Sequence, residues 1–128
     1  MKQLVLEIDV FITAFQAVES KAGKVFMIEF DAEADCEYFK GKTVAKSVDT
    51  QKYLASGEMG LSARYMLEGV DFKGLPCRIF IENNGPDLMH CTPKIVTNSE
   101  ALSFLETDEL CAEVTPAKMG VTVKIYKI

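Results

Sequence analysis

The chain has 128 residues, 48% hydrophobic and 26% charged, with no low-complexity tract, a profile that fits a folded globular protein and excludes a disordered tail. Its length suits one ordinary domain, residues 1–128, burying roughly two thirds of the surface its unfolded form exposes. Nineteen acids against fourteen bases give a formal charge of -5, a field that repels phosphate backbones and anionic lipid, so neither nucleic acid nor a membrane is expected as a partner.

In chain order, Leu4, Leu6, Ile8, Val10 and Ile12 alternate with Val5, Glu7, Asp9 and Phe11, which predicts a strand with one aliphatic face. A turn follows around Ser20 to Gly23. The second strand runs to about Tyr38 and alternates Glu29, Asp31, Glu33, Asp35 and Glu37 with Ile28, Phe30, Ala32, Ala34 and Cys36. Acids two apart on a strand sit about 6.6 Å apart and repel by roughly 2.5 kcal/mol at an effective dielectric of 20. That face therefore belongs in water, with Lys40, Lys42 and Lys46 offsetting the repulsion across strands. A calcium or magnesium site would need converging oxygens, and no known loop spacing is present.

Lys40-Gly41-Lys42 predicts a turn, and Thr43 to Thr50 a third strand. Gly57 and Gly60 break the next connection. Leu61 to Glu68 and Leu75 to Glu82 read as a hairpin around Val70 to Gly74, closed by Asn83-Asn84-Gly85-Pro86. Pro93 to Thr97 is a short strand, Ser99 to Leu102 cap a helical turn ending near Leu105, and Leu110 to Thr115 and Gly120 to Ile128 complete the set. The expected fold is all-β: a single closed or nearly closed antiparallel barrel of about eight strands with at most one short helix. Such a barrel is filled by side chains or holds one small ligand. Phe30 is large, but Ala32, Ala34, Thr43, Ala45 and Ser47 are small, which predicts a vacancy at their end; the alternative is that bulky residues from facing strands fill it.

Glu7 and Asp9 interrupt the apolar start before it reaches signal-peptide length, and no apolar run approaches the roughly 20 residues of a membrane span. Cys36, Cys77, Cys91 and Cys111 are far apart and lack a CxxC pair, which predicts reduced thiols in a cytoplasm and no structural zinc. No cofactor or metal is expected.

Phe39-x-Gly41, Asp49, "ARYMLEG" at 63–69, "IENNG" at 81–85, "TPK" at 92–94 and the closing "GVTVKIYKI" together resemble the small barrel family catalogued as domain of unknown function 3237. The resemblance spans the whole chain and implies an eight-stranded antiparallel barrel of calycin-like or allene-oxide-cyclase-like shape, with no settled activity. Many relatives carry a glycine pair where Ser47-Val48 stand and a tryptophan-leucine where Phe104-Leu105 stand, which implies a different pocket shape at both places.

The candidate ligand residues are Asp49, Arg64, Tyr65, Glu82 and Asn84. Arg64 either turns inward with Asp49 as a polar anchor for a small carboxylate or carbonyl, or makes an external salt bridge while Ala63, Tyr65 and Leu67 face in. Glu82 and Asn84 would rim the barrel mouth, although Asn-Asn-Gly-Pro also serves a plain turn. His90 beside Cys91 makes no dyad, since neighbours on an extended chain point apart. The expected function is binding of a small, mostly apolar molecule. The alternatives are an isomerase or cyclase acting on a small hydrophobic substrate, and a structural barrel without ligand; a homo-oligomer fits any of these.

Overall fold

A computed structural model describes residues 2–128. Nine antiparallel strands form one sheet: β1 (Gln3–Ser20), β2 (Gly23–Asp35), β3 (Phe39–Thr43), β4 (Ser47–Leu54), β5 (Met59–Asp71), β6 (Pro76–Gly85), β7 (Thr92–Thr97), β8 (Leu110–Ala117) and β9 (Gly120–Lys127). One short helix, α1 (Phe104–Thr107), precedes β8. The lateral order is β7-β6-β5-β3-β2-β1-β9-β8, and β4 also lies between β2 and β5. The two ends of this order meet at a single bridge: the Ala112 N–H donates to the Cys91 carbonyl, and the Val114 N–H to that of Leu88, both at 2.9 Å. Among the described residues no helix is long and apolar enough to cross a membrane.

The expected third strand, Thr43 to Thr50, is two strands on one path. Both β3 and β4 pair with β2 and β5, and the register advances by two residues between them on either side. Side chains replace ladder bonds at this break: Thr43 Oγ1 accepts from the Ala32 N–H at 3.2 Å, and the Ser47 hydroxyl donates to the Ala45 carbonyl at 3.1 Å. Lys40-Gly41-Lys42 lies inside β3. The turn falls earlier, where the Cys36 N–H meets the Phe39 carbonyl at 3.1 Å.

The first strand also departs from simple alternation. A bulge between Leu4 and Leu6 against β9 brings Val5 into the core and leaves Leu4 exposed. A second irregularity, between Ile12 and Ala14, falls where β1 outruns β9 and continues, still paired with β2, as an arm whose Ile12, Phe15 and Val18 are exposed. The acid row behaves as expected. Asp31, Glu33 and Asp35 are exposed, Glu33 and Asp35 lie opposite Lys42 and Lys40, and Lys46 Nζ reaches Glu29 Oε1 at 2.7 Å.

The expected vacancy beside Ala32 and Ala34 is filled. Ala34 is paired with Gly41, over which the Phe39 ring lies, and Leu102 and Leu105 close that end. Beside them the Asp71 carboxylate, itself buried, accepts three hydrogen bonds in a turn network. Its Oδ1 accepts from the Lys73 and Leu75 N–H groups, and its Oδ2 from the Ser99 hydroxyl, which in turn accepts from the Leu102 N–H. The core that this end shares, Leu6, Ile8, Leu67, Ile79, Ile81 and Ile125, pushes the free space toward the opposite end of the sheet.

Candidate functional site

Inward parity on seven strands and the 86–91 loop builds a half-open cavity of about 190 Å³. Its walls are apolar: Val10 and Ile12 from β1, Ile28 and Phe30 from β2, Leu61 and Ala63 from β5, Val114 from β8, Val121 and Val123 from β9, with Leu88 and Cys91 from the loop. Ile12 and Leu88 are exposed and mark its mouth. The Phe30 and Tyr65 rings meet edge to face, 5.3 Å between centroids, and form one aromatic wall.

Four polar side chains, Asp49, Gln51, Tyr65 and Asn83, interrupt this lining. Asp49 pairs across the ladder with Ala63, and Ala63 with Asn83, so the three stand in one row over β4, β5 and β6, with Tyr65 two residues along the same face. Asp49 and Asn83 are two strands apart, about 10 Å between backbones, and the small Ala63 leaves the gap between them open. Asp49 Oδ2 accepts from Gln51 Nε2 at 2.9 Å, and Gln51 Oε1 accepts from the Tyr53 hydroxyl at 3.0 Å, so this carboxylate is held in place from one side. Its Oδ1, the Tyr65 hydroxyl and Asn83 Oδ1 are buried and have no protein partner. Buried polar atoms are paired in the great majority of cases, because leaving one unpaired costs about 1–3 kcal/mol. Three at one cavity therefore mark a place where something else completes the bonding.

Electrostatics follow from the burial. Desolvation raises the Asp49 carboxyl above its ordinary value, with the Gln51 hydrogen bond opposing. Burial, reinforced by the nearby Asp49 and Cys91, raises the Tyr65 phenol, so it stays a neutral hydroxyl. Cys91 is raised by burial first and then by Asp87 and Asp49. An acid raised by folding favours the native state below its unfolded value and loses that contribution as pH climbs through the folded value. Asp49→Asn is therefore expected to gain stability over the wild type as pH rises from about 4; Tm measured from pH 3 to pH 8 checks it, and parallel curves would show no penalty on the ionised carboxylate.

Two of the five sequence candidates, Asp49 and Tyr65, line the cavity. Arg64, Glu82 and Asn84 stand on the outer face: Arg64 is exposed, its Nε lies 4.0 Å from Glu82 Oε2, and Asn84 Nδ2 donates to Glu82 Oε1 at 3.3 Å. Of the two placements open for Arg64, the structure has the external ion pair with Ala63, Tyr65 and Leu67 facing in: Arg64 lies opposite Glu82 across β5 and β6, and the inward anchor with Asp49 does not form. Asn83 was missed, although its parity with Ile79 and Ile81 points inward. His90 is exposed and its Nδ1 lies 2.8 Å from Asp87 Oδ1. The four cysteines are free, and among the described residues no three metal-ligating side chains come together.

No family model and no curated protein matches the chain. Solved structures do. A protein of unknown function from Clostridium acetobutylicum is 22% identical with a TM-score of 0.83, covering 100% of this chain and 99% of that one. A beta-barrel like protein from Acinetobacter baumannii is 18% identical with a TM-score of 0.77, covering 99% and 96%. An enzyme from Penicillium herquei is 12% identical with a TM-score of 0.71, covering 100% and 93%. At these identities the likeness is one of fold: the chain is an all-β, antiparallel protein similar to a beta-barrel like structure.

Proposed function

We propose that the protein binds a small, mostly apolar molecule in the cavity between Phe30, Ala63 and Val123. The observation that carries this reading is the set of three buried, unpartnered polar atoms in an otherwise apolar recess, the usual make-up of a small-molecule site. The bridge between Cys91 and Ala112 supports a nearly closed, calycin-like barrel around that recess, and the placement of the 63–69 and 81–85 motifs along its wall is in keeping with the resemblance to domain of unknown function 3237. The four free thiols fit a reducing, cytoplasmic setting. The unpaired edge of β1 beyond Ile12, with Phe15 and Val18 exposed on the arm, supports self-association.

A thermal-shift screen with small phenols, carboxylates and lipids tests the binding reading. A ligand at 100 times its Kd adds about 2.7 kcal/mol, so a clear rise in Tm with at least one class is expected. A flat response to all of them would favour a structural barrel.

A second reading, an isomerase or cyclase, is favoured by one observation: a carboxyl whose burial raises its pKa shares the cavity with a phenol hydroxyl, two groups that can hold and move a proton. The similarity in fold to an enzyme from Penicillium herquei is compatible with it. Conversion of a bound ligand by the wild type but not by Asp49→Asn separates this reading from simple binding.

A further inference from the structure

We infer that the ligand is an uncharged single-ring molecule bearing a hydroxyl, seated over Ala63 with that hydroxyl between Tyr65 and the Asp49–Asn83 pair. The inference rests on the cavity being a ligand site and adds the class of ligand.

Size comes first. An apolar cavity of about 150 Å³ suffices for benzene, so the volume here, about 190 Å³, accommodates one ring with a small substituent. The Phe30 and Tyr65 rings, already edge to face, offer an aromatic wall on which a further ring can pack.

Charge comes next. Among the described residues no lysine, arginine or histidine lines the cavity, and Arg64, the nearest expectation of one, faces out toward Glu82. An anion entering there would lie beside Asp49 with no counter-charge and would lose its hydration. The same desolvation that disfavours the charged form of Asp49 disfavours a charged ligand beside it. An ammonium could pair with Asp49, but it supplies donors only, and its pairing in a buried site roughly offsets its desolvation.

The polar atoms then select the functional group. Tyr65 offers an O–H donor, Asn83 Oδ1 is an acceptor, and Asp49 Oδ1 has no partner in the protein. A ketone would accept from Tyr65 and leave Asn83 Oδ1 unpaired. A hydroxyl accepts from the Tyr65 O–H and donates its one proton to Asn83 Oδ1 or Asp49 Oδ1, so it completes both kinds of bond at once. Ala63, between Asp49 and Asn83 in the ladder, is the one short side chain in that row and leaves the space the oxygen requires.

The test is isothermal titration of the wild type with toluene, phenol, benzoate and benzylamine, repeated with toluene and phenol on Tyr65→Phe and Asn83→Leu after circular dichroism has confirmed folding. Toluene and phenol have the same shape, so their comparison isolates the hydroxyl. In Tyr65→Phe the phenol Kd is expected to weaken about ten-fold while the toluene Kd stays within about two-fold; Asn83→Leu is expected to act in the same direction. Benzoate and benzylamine are expected to bind more weakly than phenol. If toluene and phenol bind but neither folded variant changes their ratio, the hydroxyl assignment is overturned while the binding reading stands. Tighter binding of either charged probe overturns the uncharged class. If no probe binds up to its solubility limit, the cavity is not a ligand site and both readings fall together. Should either variant fail to fold, the other variant and the wild-type ranking of the four probes still decide.

Discussion

Phe39→Ala is expected to lower the stability of the protein by about 3–5 kcal/mol, the usual range for removing a buried phenylalanine. Phe39 is 1% exposed, and its ring lies where a Cβ on Gly41 would otherwise stand. Gly41 is paired with Gly69 in the β3–β5 ladder, and a Cβ on Gly69 would collide with the Lys40 carbonyl oxygen and the Gly41 Cα. The two glycines therefore let β3 and β5 approach closely, and the ring of Phe39 fills the space that the missing side chain of Gly41 leaves. Native domains hold only about 5–15 kcal/mol in total, so the loss of the ring is a large fraction. Urea unfolding with linear extrapolation reads it directly. A loss under about 1 kcal/mol would mean that the space collapses onto other residues and that Phe39 does not close this end.

Ala63→Leu is expected to act in the opposite sense on the two properties that matter: binding lost by at least about ten-fold, with Tm unchanged or raised. The added carbons extend into the cavity between Asp49 and Asn83, where each buried methylene contributes about 0.8 kcal/mol. A fold that keeps unpaired polar atoms and free volume is less stable than it need be, and filling that volume with apolar atoms recovers part of the difference at the expense of function. Titration with phenol and a melting curve on the same sample check both halves. Retained phenol affinity in a folded Ala63→Leu protein would place the ligand elsewhere.

Much of the fold was legible because period-2 alternation directly reports which residues share a face. The acid row, the Leu61–Glu82 hairpin and the last two strands follow from it. What alternation does not carry is the position of bulges. The two irregularities in β1 and the two-residue advance between β3 and β4 shift which residues face in, and they are fixed by pairing with distant strands and by the Thr43 and Ser47 side-chain bonds.

The candidate site was legible in half. Neighbouring residues on a strand point to opposite faces, so Arg64 and Tyr65 cannot both enter one cavity, and neither can Asn83 and Asn84. With Tyr65 inside, the inward set is Ala63, Tyr65 and Leu67 on β5, and Ile79, Ile81 and Asn83 on β6. Choosing polar groups without regard to parity selected Arg64, Glu82 and Asn84 and left out Asn83. The location of the vacancy was not legible either, because Ala32 and Ala34 are buried in a packed core, with the Phe39 ring over the Gly41 that pairs with Ala34, and packing across strands is not written in the local sequence.

As a ligand site, the recess over Ala63 holds unpaired polar atoms that a bound molecule would complete. A crystal structure of the wild-type protein soaked in phenol measures this most directly. The ring is predicted to lie against Phe30 and Tyr65, with its oxygen within about 3 Å of the Tyr65 hydroxyl. A recess closed by rearranged side chains, or phenol bound only on the outer face near Arg64 and Glu82, would contradict it.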